Sequence, residues 1–349
     1  MQRRLRRPTA VALSRALLPL ALVAAAVLAY EFLWRARHHP LVVYCAHDAV
    51  YSEAVLRSFE QRTGIPVSVK FDTEATKSLG LVELLAREKD APRCDVFWNN
   101  EVLGTVYLKE QGVLDAYKGP GYERIPIAFK DPEGCWAGFG ARLRVYIVNT
   151  EQLAATPEAV EGALAGDLSH VAIAKPLYGT TLTQYTALWS LWGGEKLKAW
   201  HEDWRRRGVQ EATGNAHVRE LVARGTCKLG LTDSDDFFLV RDAGRPVAAV
   251  PVRVGAGQVI CIPNTVAIIK GTRRMEEARR LADYLLSEEC ELVLAASSSR
   301  QVPLGPVDEQ RLPPDVREMR RWAAEPLPLG ELGPARAACL AWLKEVYLQ

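Results

Sequence analysis

The sequence lacks the short motifs of several catalytic and redox classes. Its seven cysteines are scattered without a CxxC pair, which argues against the common zinc and dithiol-redox motifs. Neither a glycine-rich phosphate loop nor a GxSxG nucleophile motif occurs in its 349 residues. The net charge is only +2, far from the basic balance of a nucleic-acid-binding domain. What remains is ordinary globular composition, 48% hydrophobic, in a chain long enough for two domains or lobes.

The N-terminus is a basic leader followed by an apolar run. Four arginines fall within the first seven residues, and residues 16–30 are rich in Ala, Leu and Val. The basic flank predicts a cytoplasmic N-terminus, with the chain beyond Trp34 outside. Residues 1–38 are therefore predicted to be a secretory signal peptide, cut near Ala29, or a retained membrane anchor. Either outcome predicts a periplasmic protein, in which seven cysteines leave room for one or two disulfides and at least one free thiol.

Three apolar runs alternate with helical patterns after the leader. Strands are predicted over residues 41–46, 65–71 and 94–98, and helices over 51–63 and 79–89. This rhythm is typical of a parallel, doubly wound α/β sheet, which binds ligands at the C-terminal ends of its strands. The candidate residues that follow these strands are His47, Asp72, Glu74 and Glu101.

Two later stretches offer groups that can bind an anion. The strand predicted over residues 139–149 carries Arg142 and Arg144, which share a face because they are two residues apart. Either arginine could hold a ligand's acid group or form an ion pair with a carboxylate. Thr180 and Thr181 follow a glycine at the start of a predicted helix. Their hydroxyls and backbone N–H groups suit an oxyanion, or they simply cap the helix.

The densest polar cluster is residues 232–236, TDSDD, directly after a predicted buried strand. Three carboxylates this close repel one another unless a cation, a helix N-terminus or water offsets their charge. Asp233 or Ser234 could cap the next helix. Alternatively, Asp233, Asp235 and Asp236 could bind a metal cation or an ammonium group. A rival of another class is a metal-dependent enzyme, because Asp233-x-Asp235 matches the D-x-D arrangement of glycosyltransferases.

Eight stretches resemble, in the same order, the bilobed substrate-binding proteins of ABC importers, specifically the class that includes ferric-iron binders. They cover about residues 41–303 and read YCAHDAVYSEAVLRSFEQRTGIPV, CDVFWNNEVLGTVYLKEQGVLDAY, GFGARLRVYIVNT, KPLYGTTLTQYTALW, GLTDSDDFF, VICIPNTVAIIKG, LADYLLSEECELVLA and SRQVPLG.

The resemblance implies a type II periplasmic-binding-protein-like fold, in which two α/β lobes close on a ligand about two crossover hinge strands. The first lobe would comprise residues 41–138 with 264–349, and the second residues 139–263. It also implies a monomeric, non-enzymatic binding component that delivers its ligand to an ABC permease. A regulator's ligand-sensing domain has the same fold, but the leader argues against a DNA-binding segment.

One position departs from the ferric binders. Those relatives supply adjacent tyrosines from the loop that corresponds to residues 234–238, where this chain has Asp235-Asp236-Phe237-Phe238. Phenylalanine offers no oxygen, whereas carboxylates can hold a hard ferric ion. The metal ligands implied are then Glu74, Glu101, Asp235 and Asp236. The transported ligand is expected to be ferric iron with a small anion, another cation, or a zwitterion, and no further cofactor is expected.

Overall fold

The computed structural model describes residues 39–72 and 79–348. The expectations for the leader, residues 1–38, and for Glu74 fall outside these ranges. Within them the chain forms a ten-stranded mixed sheet, a two-stranded ribbon and thirteen α-helices. None of the described helices combines the length and the apolar character needed to cross a bilayer.

The N-terminal segment builds the first half of the sheet, which we call the first lobe. Strands β2, β1 and β3 lie side by side and parallel, as the alternation of apolar runs with helical patterns predicts. Helix α1 ends at Gly64, which adopts the left-handed conformation that glycine favours. The elements are β1 (Leu41–Cys45), α1 (Ala49–Thr63), β2 (Val67–Phe71), α2 (Leu79–Arg87), β3 (Val96–Asn99), α3 (Leu103–Glu110), β4 (Leu114–Asp115), α4 (Pro120–Arg124) and a 3₁₀ turn (Ile127–Phe129).

The middle of the chain builds the second half of the sheet, the second lobe. The polar stretch 150–168 is helical only over Pro157–Ala165, because Thr156 accepts the N–H of Ala159 and caps the helix there. The elements are β5 (Ala137–Asn149), α5 (Pro157–Ala165), β6 (Val171–Ala174), α6 (Gly179–Trp192), α7 (Gly194–Arg206), β7 (Gln210–Ala212), α8 (Asn215–Ala223), β8 (Leu229–Asp233), α9 (Ser234–Asp242), β9 (Val247–Pro251), β10 (Arg253–Val254), β11 (Gln258–Val259) and β12 (Cys261–Ile269).

Strands β5 and β12 join the two halves of the sheet. The first part of β5 pairs antiparallel with β12, and its second part pairs with β8 and β9. Strand β12 continues through Pro263, with a register shift against β5 between Pro263 and Asn264. Both crossovers are buried, and each fully buried aliphatic side chain of β5, such as Ile147, contributes about 1.5–3 kcal/mol.

The C-terminal segment returns to the first lobe and then reaches the second. Its last helix packs on α6, with Trp342 against Trp189 and the Tyr347 hydroxyl 3.1 Å from Nε2 of His201. The proposed first lobe includes residues 264–349. It therefore contains α13, a helix that packs largely against the second lobe. The elements are α10 (Met275–Leu285), α11 (Glu288–Ala296), a 3₁₀ turn (Glu309–Arg311), α12 (Pro314–Trp322) and α13 (Gly333–Tyr347).

Candidate functional site

The TDSDD cluster ends strand β8, and its first aspartate faces an arginine of β5. Asp233 and Arg144 lie opposite each other in the antiparallel pair, and Nη1 of Arg144 donates to Oδ1 of Asp233 at 2.8 Å. Arg144 is completely buried. Asp233 occupies the N-cap position of α9, yet its side chain makes no capping hydrogen bond. The capping interpretation is therefore wrong for Asp233, because its oxygens face Arg144, Thr180 and Asn215 instead.

Ser234 is also engaged elsewhere, since its hydroxyl oxygen accepts the backbone N–H of Leu143 on β5 at 3.1 Å. This hydrogen bond holds the start of α9 against the crossover strand β5. Both residues proposed as helix caps thus position the cluster against β5.

The second arginine of β5 connects the cluster to the first lobe. Nη1 of Arg142 donates to Oδ2 of Asp235 at 3.2 Å, and Nε lies 3.8 Å from Oδ2 of Asp233. Nη2 of the same side chain donates to the main-chain carbonyl of Asn100, in the loop after β3. Arg142 is therefore a direct bridge between the lobes at the floor of the cleft.

The third aspartate has an arginine of its own. Asp236 accepts from Nη1 of Arg219 at 2.8 Å and from the hydroxyl of Thr232 at 2.9 Å. Burial, together with the nearby charges of Asp235 and Asp233, raises the pKa of Asp236 to about 7. The cluster therefore carries less negative charge near neutral pH than its three carboxylates suggest.

These three carboxylates are close enough to share a cation. One oxygen each from Asp233, Asp235 and Asp236 can be chosen so that all lie within 4.8 Å of one another. Each carboxylate also has an arginine partner, at 2.8, 3.2 and 2.8 Å respectively. A cation bound here would have to displace or outweigh these arginines. The acidic sequence pattern is thus largely neutralised by side chains from β5 and α8.

Helix α6 brings its N-terminus to the same place. The hydroxyl of Thr180 donates to Oδ2 of Asp233 at 2.6 Å, and that of Thr181 donates to Oδ1 of Asn215 at 3.1 Å. Gly179 starts the helix with a positive φ of 54°, and Tyr178 before it provides no side-chain cap. Thr180 therefore contacts the aspartate cluster directly, whereas Thr181 contacts its partner Asn215, and Tyr178 leaves the start of α6 without a side-chain cap.

Glu101 has a different role from the one expected of a metal ligand. Its two carboxylate oxygens accept the backbone N–H groups of Leu103 (2.6 Å) and Gly104 (2.7 Å) at the start of α3. The hydroxyl of Thr183 on α6 also lies 3.4 Å from its Oε2. Glu101 is thus a buried helix-start carboxylate that touches the second lobe, with both oxygens already engaged.

The remaining first-lobe candidates lie in loops after β1 and β2. His47 is buried, with its ring against Trp98 and its Nε2 2.5 Å from Nε2 of Gln301. Asp72 accepts the N–H of Leu81, at the start of α2, at 3.4 Å. These two residues are placed on the first lobe by local contacts, and their part in ligand binding stays a prediction.

Sequence reasoning missed several polar partners of the cluster. Asn215 donates to Asp233 and accepts from Arg144, and Gln184 accepts Nε of Arg144 at 2.8 Å. Gln184 follows Thr180 by four residues and therefore shares its helix face. That spacing was a usable signal. Nothing in the local pattern around Asn215 or Arg219 pointed toward the aspartates.

Family comparison identifies the chain. Residues 41–297 match the model of the bacterial extracellular solute-binding protein family. The chain belongs to this family. It is the solute-binding component of an ABC importer, acts outside the cytoplasm and is not an enzyme. The glycosyltransferase-like interpretation of Asp233-x-Asp235 is therefore wrong.

Known relatives of this solute-binding protein confirm the predicted fold. An uncharacterized protein of Haemophilus influenzae is 25% identical over 285 residues, which cover 77% of this chain and 80% of the relative. Iron-bound HitA from Pseudomonas aeruginosa superimposes with a TM-score of 0.76 at 20% identity, over 88% of this chain and 99% of HitA. AfuA from Actinobacillus pleuropneumoniae, with fructose-6-phosphate bound, gives 0.69 at 21% identity, over 88% and 98%. The solute-binding protein thus has the two-lobed type II fold.

Proposed function

We propose that the cleft binds a small organic solute that carries one acid group together with hydroxyl or amine groups. The pairing of Asp233, Asp235 and Asp236 with arginines supports this proposal most directly. Paired charges leave the site close to neutral overall, with hydrogen-bond donors beside acceptors. A solute with an acid group and with hydroxyl or amine groups can bond to the donors and to the acceptors of the site. A bare cation would instead be repelled by the positively charged arginines.

The donors for an acid group come from β5 and α6. Nη2 of Arg144 and Nε of Arg142 are buried and have no hydrogen-bond partner among the described residues. The first N–H groups of α6, around Thr180, lie beside Arg144. A helix N-terminus next to a guanidinium favours a carboxylate or phosphate. The acid group of the solute is therefore expected between β5 and α6.

The acceptors for hydroxyl or amine groups come from the aspartates. An ionised carboxylate has about four lone-pair sites, and the arginine bonds use only part of that capacity. Asp235 has the most exposed side chain of the three, at 17%, so it is the best placed to reach a solute. We assign Asp235 the role of recognising the hydroxyl or amine group.

Closure of the lobes would complete the site. Arg142 to Asn100 and Thr183 to Glu101 are direct contacts across the cleft. The cavity beside Glu101 and Tyr178 measures only about 20 Å³, roughly the space that one water needs. We therefore propose that the lobes separate to admit a solute and then close on it. We propose that the exported protein, as a monomer, delivers the solute to its permease in this closed form.

Ferric iron is the second candidate, favoured by the close approach of three carboxylate oxygens. HitA, which has the same fold, is described as iron-bound, and AfuA as bound to fructose-6-phosphate. The fold therefore serves both classes of ligand, and the side chains of the cleft must decide. The arginine partners and the absence of tyrosine contacts to these carboxylates in the described part of the chain favour the organic solute.

Native mass spectrometry with elemental analysis tests the proposal. The purified protein is examined as isolated and after incubation with fructose 6-phosphate, serine, ferric citrate or ferric chloride. We expect a one-to-one complex with an organic acid that is lost in Arg142→Ala. Stoichiometric iron that survives chelator-free dialysis, without an organic mass, would instead establish the ferric candidate and refute the proposal.

A further inference from the structure

A second concave surface lies outside the aspartate cluster and shares no residue with it. It is a groove of about 710 Å³, with an apolar lining that includes Phe129 and Pro326 and, at its floor, Leu304. Its rim carries Arg317 and Arg321 from helix α12. We call this surface the α12 groove.

The floor of the α12 groove is held rigidly. The backbone N–H groups of Leu304 and Gly305 donate to the carboxylate of Glu291, at 2.7 and 3.1 Å. Glu291 is fully buried and pairs with Arg124 at 2.6 Å. A floor fixed in this way loses little freedom when something binds to it, which favours affinity.

Two sides of the groove are bonded to β5 and to β11. Val302, directly before the groove's Pro303, exchanges backbone hydrogen bonds of 2.7 and 2.8 Å with Ala141 of β5. The residues on either side of Pro326 form backbone hydrogen bonds with Val259, which lies in β11, just before β12. A partner in the groove would therefore touch chain that is bonded to the crossover strand β5 and to β11, which directly precedes β12.

The charge of the rim is not explained by the fold. Arg320 is used internally, donating to Glu309 at 3.0 Å and to the carbonyl of Gly305 at 3.2 Å. Arg317 and Arg321 are exposed and form no ion pair with any residue in 39–72 or 79–348. They stand four residues apart on one helix face, where like charges destabilise the helix. Glu309, which also lines the groove, is paired with Arg320, so the lining keeps a net excess of two cations, Arg317 and Arg321, beside its apolar side chains.

We propose that the α12 groove docks an acidic, apolar segment of a protein partner. Carboxylates of that segment would pair with Arg317 and Arg321, and its apolar side chains would lie against Phe129 and Leu304. Arginine clusters recognise acidic motifs in this way. The leader of this chain is an unsuitable occupant, because four of its first seven residues are arginines. This surface goes beyond solute capture and does not depend on which solute the cleft binds.

The test uses the full chain in a nonionic detergent and fluorescence anisotropy. The probes are a fluorescein-labelled peptide of sequence ELPELELP and its basic counterpart KLPKLKLP. The groove variant is Arg317→Glu with Arg321→Glu. The matched control is Arg273→Glu with Arg280→Glu, which makes the same charge change at two exposed arginines that do not line the groove. Circular dichroism melting verifies that each variant folds.

We expect the acidic peptide to bind the parent and the control alike, and the groove variant at least tenfold more weakly. The basic peptide should not bind the parent. Equal weakening in both double variants would show only a general charge effect and would overturn the proposal, as would no binding of the acidic peptide. Sedimentation with phosphatidylglycerol vesicles that needs Arg317 and Arg321, without peptide binding, would assign the groove to a membrane surface and overturn it too.

Discussion

Arg142 donates to Asp235 of the second lobe at 3.2 Å, and the same guanidinium donates to the carbonyl of Asn100 in the first lobe. A planar group with several fixed donors can serve both partners at once. The residue therefore links the aspartate cluster to the first lobe, and we expect it to make closure of the cleft depend on the state of that cluster.

Arg142→Lys keeps the charge but cannot form this pair of directed bonds. We expect solute affinity to fall about 10- to 100-fold, because a hydrogen bond to a charged group contributes about 1.5–3 kcal/mol. Calorimetric titration measures the affinity, and small-angle scattering should show a larger radius of gyration. Arg219→Lys is the control, since Arg219 pairs with Asp236 within the second lobe. Equal effects of both variants would contradict the bridging role.

Asp233 and Asp235 are predicted to have different roles: Asp233 stabilises the fold, whereas Asp235 binds the solute. Asp233→Asn leaves the fully buried Arg144 without a charged partner, which should cost about 3–5 kcal/mol in urea unfolding. Asp235→Asn should cost much less stability than Asp233→Asn while it abolishes solute binding, because Arg142 keeps the Asn100 carbonyl and the nearby carboxylate of Asp233 as partners. A large stability loss in Asp235→Asn, with binding retained, would make Asp235 a structural residue.

Installing tyrosines at residues 237 and 238 should not produce an iron site. Phe237 and Phe238 are buried in the core, and the guanidinium groups of Arg241 and Arg300 lie 4.7 and 5.2 Å from the ring of Phe238. Phe238→Tyr would bury a hydroxyl and cost about 1–3 kcal/mol if the hydroxyl finds no partner. Phe71→Tyr, at a half-buried ring, should cost much less. A visible tyrosinate–iron absorption band in the double variant would contradict this placement.

His201 should make the protein sensitive to acid. Burial lowers its pKa from 6.5 to about 4, and its ring faces Tyr185, Tyr347, Glu211 and Arg205. Below pH 6.5 the unfolded chain binds a proton that the folded chain refuses, so stability falls as the pH drops from 6.5 toward 4.

The loss should be on the order of 3 kcal/mol across that window, measured by urea unfolding at several pH values. His201→Gln should remove this part of the slope, whereas His170→Gln, at an exposed histidine, should not. An unchanged slope in His201→Gln would show that other groups titrate instead.

The sequence predicted the fold well because its signals are local. The apolar runs at residues 41–46 and 94–98 and the helical spacing between them depend on near neighbours. The alternation that put Arg142 and Arg144 on one strand face is equally local. Pairing Arg144 with Asp233 is not, since it depends on the register of β5 against β8 over 89 positions.

The partners of the carboxylates are non-local for the same reason. The three aspartates in the sequence suggested a site for a cation or an ammonium group, but Arg219 reaches Asp236 from a separate helix. Glu101 was expected to face a ligand, yet the turn that follows it directs its oxygens to the N–H groups of α3. Side-chain partners of this kind are decided by tertiary packing, which a sequence pattern does not encode.

All seven cysteines are free thiols, and Cys135 alone among them is not buried. No covalent link ties one lobe to the other, so the hinge is free of a redox constraint. Burial raises the pKa of Cys261 on β12 to about 12, which leaves almost no reactive thiolate while the fold is intact. The rate at which a thiol reagent labels a buried cysteine would therefore report how often the fold around that cysteine opens. Labelling of Cys45 would report opening of the first lobe, that of Cys227 opening of the second, and that of Cys339 opening of the helix that lies against both.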